Sequence, residues 1–281
     1  MDKFSSIGVF DSGIGGLSVL KQLIRFIPNE SYIYLGDTAR VPYGNKSNNV
    51  VEQYAKECTD FLLNKNVKLI VIACNTVSAV ALDKVIEQAN NIPVIGMIQP
   101  ASEASVRTTV NRKIGIIGTR STINSKAYTN AILQFAGTEK IDVFSQECPL
   151  FVPLVEEGLV SHSATKQIAE EYLKKFKNHP IDTLILGCTH YPTLTRLIRD
   201  ILPNVNQIDS GEHAAVSALR LLAEKNLLIN EKSGPIKKHN IDFYVTDYPN
   251  HFYNLSQQLL GFAIDSPKHI EIDKVISNSI K

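Results

Sequence analysis

The chain has almost no charge imbalance, with 29 Lys plus Arg against 28 Asp plus Glu in 281 residues. Proteins held to nucleic acid through its phosphates show a basic excess, so no nucleic-acid partner is expected. It also lacks any apolar run approaching the roughly 20 residues that a bilayer-spanning helix needs, so no membrane association is expected. Its start lacks the basic-then-apolar pattern of a secretory leader, because Met1 leads through a few polar residues into a short apolar segment. The four cysteines are too few for a disulfide framework in a chain of this length and suit a reducing cytosol instead. Low-complexity tracts are missing too. These absences leave a cytoplasmic globular protein, long enough for two domains or for one large α/β domain.

Two stretches of the same shape stand out in what is present. They are Lys68-Leu69-Ile70-Val71-Ile72-Ala73-Cys74-Asn75-Thr76 and Asp182-Thr183-Leu184-Ile185-Leu186-Gly187-Cys188-Thr189-His190. Each begins as a continuous aliphatic run, which reads as a strand buried on both faces of a parallel sheet. Each then passes through a small residue to a cysteine and a polar tail. The cysteine therefore falls at the carboxyl end of its strand, where open α/β sheets bind ligands. A helix starting just beyond would lower the thiol pKa through its N-terminal N–H groups. Either cysteine alone reads best as a small buried residue. Two in matching settings point to a pair of thiols facing one substrate.

Along the rest of the chain, strands alternate with helices, which predicts a parallel-rich α/β architecture. A strand at 6–10 feeds Asp11-Ser12-Gly13-Ile14-Gly15-Gly16 and then a helix from Leu17 to Ile27. Such a turn can gather N–H groups on an anion. Ser18, however, stands where the dinucleotide fingerprint has its third glycine, and a plain tight turn fits equally well. A strand at 31–35 precedes the polar loop 36–44, and 48–64 reads as a helix with Cys58 on its apolar stripe, a packing residue. A single helix is expected over Ser78–Gln88. Residues 148–158 form a mixed apolar segment, 163–177 an amphipathic helix, 225–240 a solvated connection, and 249–260 a last helix.

Cys188 and His190 offer two metal ligands, but nothing supplies the rest of a tetrahedral set, and no metal is expected. Neither thiol has the near-neighbour cysteine of a redox pair. A Cys–His hydrolase, with one thiol as nucleophile and His190 as base, would leave the other thiol unexplained. Asp11 ends its strand inside the glycine turn. Glu156 sits in an apolar run, and pattern alone gives no reason to single it out.

In its motifs the sequence resembles the glutamate racemases, cofactor-independent enzymes that supply D-glutamate for peptidoglycan. The resemblance rests on the blocks Gly8–Leu17, Gly36–Gly44, Ala73–Thr76, Phe151–Glu156, Gly187–Pro192 and Ile208–Gly211, in order along the chain. It implies that Cys74 and Cys188 lie on opposite faces of the substrate Cα, one removing the α-proton as thiolate while the other delivers a proton as thiol. It implies that Asp11 assists Cys74 and that Glu156 and His190 assist Cys188. It further implies a substrate site formed by Asp11, Ser12, Tyr43, Gly44, Asn75, Thr76, Thr189 and His190, with Thr119 and Thr122 at the side-chain carboxylate. The implied fold is two α/β sandwich domains with the site in the cleft, residues 1–97 plus 210–281 forming one and 98–209 the other. No cofactor is implied, and the implied assembly is a homodimer. Because no long extension precedes the first strand, activation by a cell-wall precursor is not expected.

Rival readings remain open. One is a related racemase acting on aspartate. Others are a non-catalytic binder of acidic amino acids, and the Cys–His hydrolase, which predicts a covalent acyl-enzyme.

Overall fold

The structure is a computed structural model that describes residues 2–229, 240–247 and 252–272. The chain begins with β1 (Ile7–Asp11), α1 (Leu17–Phe26), β2 (Tyr32–Gly36), α2 (Asn48–Leu63) and β3 (Leu69–Ile72), then α3 (Asn75–Val80), α4 (Leu82–Ala89) and β4 (Val94–Ile95). A second series follows: α5 (Ile98–Thr108), β5 (Lys113–Gly118), α6 (Arg120–Asn124), α7 (Ala127–Ala136), β6 (Asp142–Glu147) and α8 (Phe151–Glu156). It continues through α9 (Ser163–Asn178), β7 (Thr183–Gly187), α10 (Thr195–Ile201), β8 (Asn206–Asp209) and α11 (Ser210–Glu224). The chain then adds β9 (Ile241–Val245), α12 (Phe252–Leu260) and β10 (Lys268–His269).

The strands form two sheets, ordered β10-β9-β2-β1-β3-β4 and β6-β5-β7-β8, and every pairing is parallel. This is the expected α/β fold, and its cause lies in the alternation of side chains across a pleat. Leu69 and Val71 of β3 enter one core with Ile7 and Val9 of β1, while Ile70 and Ile72 enter the core on the other face with Phe10. In the second sheet, Leu184 and Leu186 of β7 pack with Ile117 on one face, and Ile185 packs with Ile114 and Ile116 on the other. Strands clad on both faces cannot alternate apolar with polar residues, which is why the two cysteine runs are continuous.

The structure corrects one expected element and adds two that the pattern did not show. The helix over Ser78–Gln88 is two helices, separated at Ala81, whose φ of −130° and ψ of 5° leave the helical region. Residues 151–156 of the mixed segment are helical. The edge strand β10 has two residues, too few to carry a periodicity. Most of the 225–240 connection and the start expected for the last helix lie outside the described residues.

Candidate active site

Asp11 is the last residue of β1, and its Oδ2 accepts hydrogen bonds from the N–H groups of Gly13 and Gly16, each at 3.0 Å. The glycine turn therefore does converge its amides on an anion, and that anion is the chain's own carboxylate. Asp11 Oδ1 is buried with no hydrogen-bond partner among the described residues. Burial raises the pKa of this carboxyl, against the lowering effects of His190 and the turn's N–H groups.

Cys74 follows β3 as the residue capping α3, and its thiol donates to Ser12 Oγ at 3.7 Å. Burial, with the Asp11 charge adding to it, pushes this thiol up to about 12, against the opposing pull of the Val77 N–H and Ser12. In the ligand-free site Cys74 is thus a thiol at neutral pH, contrary to the lowered pKa expected from the helix that follows it, because burial outweighs the pull of that helix's N–H groups.

On the second sheet, Cys188 follows β7, and its Sγ stands 3.7 Å from His190 Nδ1. The other ring nitrogen, Nε2, is 3.0 Å from Oε1 of Glu156, the last residue of α8. Burial alone would depress the His190 pKa. The contacts to Cys188 and Glu156 outweigh it and hold the imidazole at about 10. At neutral pH His190 is therefore a cation with one N–H toward Glu156 and the other toward Cys188.

The two halves meet at the glycine turn. Ser18 Oγ shares its one proton between two carbonyl oxygens, Gly15 O at 2.9 Å and Thr189 O at 2.8 Å. The residue that spoils the dinucleotide fingerprint is thus the one that fastens α1 to the turn after Cys188.

Thr76, Thr119 and Thr122 form a triangle of hydroxyls, with Oγ1 separations of 3.1, 3.4 and 3.0 Å. Asn75 is bonded through both ends of its amide, accepting from Tyr128 and donating to Ser210. Tyr43 donates its hydroxyl to Asp37. Asp37 also accepts from Arg40 Nε at 2.6 Å and from Thr246 Oγ1 at 2.8 Å.

A cavity of about 490 Å³ collects Cys74 and Cys188 with Ser12, Tyr43, Gly44, Asn75, Thr76, Thr119, Glu156, Thr189 and His190. That volume suits one small ligand. Asp11 and Thr122 stand behind its lining. Apolar residues of the loop after β2, of the segment leading into α8 and of α8 itself, among them Val41, Leu150 and Val152, also line it. Cys58 and Cys148 are buried in separate cores. Among the described residues, no group of three or more His, Cys, Asp or Glu could hold a metal ion, and no helix is long and apolar enough to cross a membrane.

Sequence reasoning passed over Asp37, Arg120 and Tyr128. Arg120 opens α6 at the cavity wall, and its place after a strand-to-helix cap was a usable signal. Asp37 lay inside a quoted motif with no pattern to mark it as the partner of Tyr43. Tyr128 reads as an ordinary aromatic of an apolar helix and offered no signal.

Two parallel sheets meet at a cavity that holds one thiol from each, and the family that the chain matches places this scaffold among the racemases. Residues 7–218 match the model of the Asp/Glu/hydantoin racemase family. The chain is 48% identical over 258 residues to a glutamate racemase of Chlorobaculum tepidum, covering 92% of this chain and 93% of that one. Among solved structures it resembles the Francisella tularensis glutamate racemase in complex with D-glutamate, at a TM-score of 0.89 and 40% identity, over 97% of this chain and 99% of that one. The Thermus thermophilus glutamate racemase in complex with β-chloro-D-alanine is similar at a TM-score of 0.85 and 40% identity, covering 98% and 100%. The chain belongs to the Asp/Glu racemase family and, within it, to the glutamate racemases, and it is an amino-acid racemase.

Proposed function

We propose that the protein interconverts L- and D-glutamate by a two-base mechanism in which Cys74 and Cys188 work on opposite faces of the substrate Cα. The observation that carries this reading is that both sulfurs line one cavity, each with its own polar retinue. One thiolate takes the α-proton and becomes S–H. The electron pair left on Cα then accepts the proton of the opposite S–H, which becomes thiolate. Configuration inverts because proton removal and delivery occur on different faces.

The α-proton of an amino acid is weakly acidic, and preorganised donors in a closed site are the means of stabilising the carbanion. Ser12, Tyr43, Gly44, Asn75, Thr76, Thr189 and His190 hold the substrate, with Thr119 and Thr122 at the side-chain carboxylate. Asp11, buried behind the cavity lining with Oδ1 unpartnered, draws the substrate ammonium through its charge, and that ammonium's positive charge would offset the effects that keep Cys74 protonated. Asp11 thereby assists Cys74. The His190 cation, held by Glu156, supplies a donor to Cys188 Sγ when that sulfur carries charge. No cofactor takes part.

The same reading divides the chain into residues 1–97 plus 210–281 and residues 98–209, and makes the enzyme a cytoplasmic homodimer that supplies D-glutamate for peptidoglycan. Its relation to the D-glutamate-bound Francisella tularensis enzyme favours glutamate over aspartate.

The test is α-hydrogen exchange. Purified protein is incubated with L-glutamate in D2O without added cofactor, and rotation and deuterium at Cα are followed. Rotation falling to zero as deuterium enters D-glutamate supports the reading. Rotation and isotope content that both stay constant would falsify it. An acyl-enzyme detected by mass spectrometry would favour a hydrolase instead.

A further inference from the structure

Asn75 directly follows Cys74, and Gly187 directly precedes Cys188. One buried side chain touches both. Tyr128 of α7, 2% exposed, donates its hydroxyl to Asn75 Oδ1 at 2.6 Å. Its ring lies beside Gly187, where an added β-carbon would stand 3.1 Å from Tyr128 Cε2 and 2.6 Å from the Ile117 carbonyl oxygen. Position 187 must therefore be glycine for strand and ring to approach this closely.

A second link runs beside the first. Asn75 Nδ2 donates to Ser210 Oγ at 3.3 Å, and Ser210 Oγ donates to Leu186 O at 3.2 Å, one residue before Gly187. The Asn75 amide is thus tied to the end of β7 by two routes, one through an aromatic ring and one through a hydroxyl. A buried phenol without a partner would be costly. The partner it has here is the first residue of the helix that Cys74 caps.

We propose that Tyr128 is a positioning residue that sets the separation and facing of the Cys74 and Cys188 sulfurs. It does not line the cavity and acts only through Asn75 and Gly187. The proposal rests on the two-thiol reading above. Proton transfer between sulfur and carbon is steep in distance, and a misplacement of about 1 Å costs on the order of a hundredfold in rate. A rigid ring held against both Asn75 and Gly187, the chain neighbours of the two thiols, is a means of preventing that misplacement.

Tyr128→Phe keeps the ring against Gly187 and removes only the hydroxyl. The expected result is a kcat lower by about tenfold or more in both directions, within the hundredfold just given, with a smaller rise in KM because Asn75 also touches the substrate. A sharper readout is deuterium uptake into recovered, uninverted substrate. When the acid on the far face is out of place, the carbanion is reprotonated by the thiol that formed it, after that thiol has exchanged with D2O. The ratio of exchange to inversion therefore rises in Tyr128→Phe, an effect that mere loss of stability would not produce. Ser210→Ala cuts the second link, outside the catalytic groups, and should shift the same ratio in the same direction by less. It carries the test if Tyr128→Phe does not fold.

Folded variants with wild-type kcat and a wild-type exchange ratio would overturn the proposal. Cys74→Ser and Cys188→Ser, measured alongside, separate the two layers of the argument. If they abolish racemisation while Tyr128→Phe changes nothing, the positioning role alone falls. If racemisation survives in both, the two-thiol reading falls and takes the positioning role with it.

Discussion

Gly15 lies directly against the imidazole of His190, so close that a β-carbon at position 15 would stand 2.6 Å from Nδ1. The glycine turn after β1 is therefore a wall of the second thiol's surroundings as well as a cradle for Asp11. Gly15→Ala must displace the ring from Glu156 or from Cys188. Overpacking of this kind costs about 1–3 kcal/mol of stability. The loss of turnover should be larger, about a hundredfold for a displacement near 1 Å. Steady-state kinetics beside urea unfolding will show it, and a folded Gly15→Ala protein with normal kcat would count against a role for His190.

The Glu156–His190 pair makes a prediction in pH. A histidine with a raised folded pKa contributes stability that is complete below its ordinary value of about 6.5. That stability is lost as pH rises through the folded value of about 10. Glu156→Gln should therefore destabilise the protein near pH 6 and have little effect above pH 10. It should also lower the His190 midpoint in an NMR titration. A midpoint that stays near 10 in Glu156→Gln would show that Glu156 does not hold the charge.

Cys74 should be slow to alkylate in the ligand-free enzyme at pH 8, because burial and the Asp11 charge push its pKa up to about 12. Asp11→Asn removes the second of these causes. Iodoacetamide labelling at pH 9, read by mass spectrometry, should then be faster, by about tenfold for each unit that the pKa falls. Turnover in the same variant should decrease. A labelling rate that does not change would mean that Asp11 exerts no electrostatic hold on Cys74.

Far from the cavity, Lys68 Nζ lies 2.5 Å from Glu30 Oε2, with both side chains fully buried. The ammonium also donates to Leu227 O at 2.9 Å, and Glu30 Oε1 accepts from Ile229 N at 3.0 Å. Lys68→Met strands a buried carboxylate and should cost about 3–5 kcal/mol. Lys68→Met with Glu30→Leu should recover most of that, because paired apolar replacements remove both desolvation penalties. Since Lys68 precedes β3 while Cys74 follows it, kcat at 25 °C should be unaffected in the double variant. Chemical denaturation of the three proteins checks the ordering.

Much of the fold was legible because strand identity here is a local property. The runs 69–72 and 184–187 lack polar side chains, since each strand is covered on both faces, and this pattern does not depend on what covers it. The break at Ala81 was not legible, because a single residue leaving the helical region changes neither composition nor spacing. Glu156 shows a different limit. Its run is apolar because α8 packs Phe151 and Val155 into a core, and nothing in that run announces that its final carboxylate meets an imidazole 34 residues further on.

The sequence by itself determined the alternation of strands and helices and the placement of two cysteines at strand ends. Hydrophobic period and residue type act over a few neighbouring positions, and no other part of the chain is needed to set them. The tertiary structure alone decided which groups stand beside those cysteines. The amides of the glycine turn close on Asp11, Ser18 reaches Thr189, and His190 lies between Cys188 and Glu156. Tyr128 bonds Asn75 across 53 positions of chain. Of these contacts, Ser18 to Thr189 and Tyr128 to Asn75 arise from the docking of one sheet's layers against the other's, which depends on the fit of whole surfaces and leaves no periodic trace in the residues that make it.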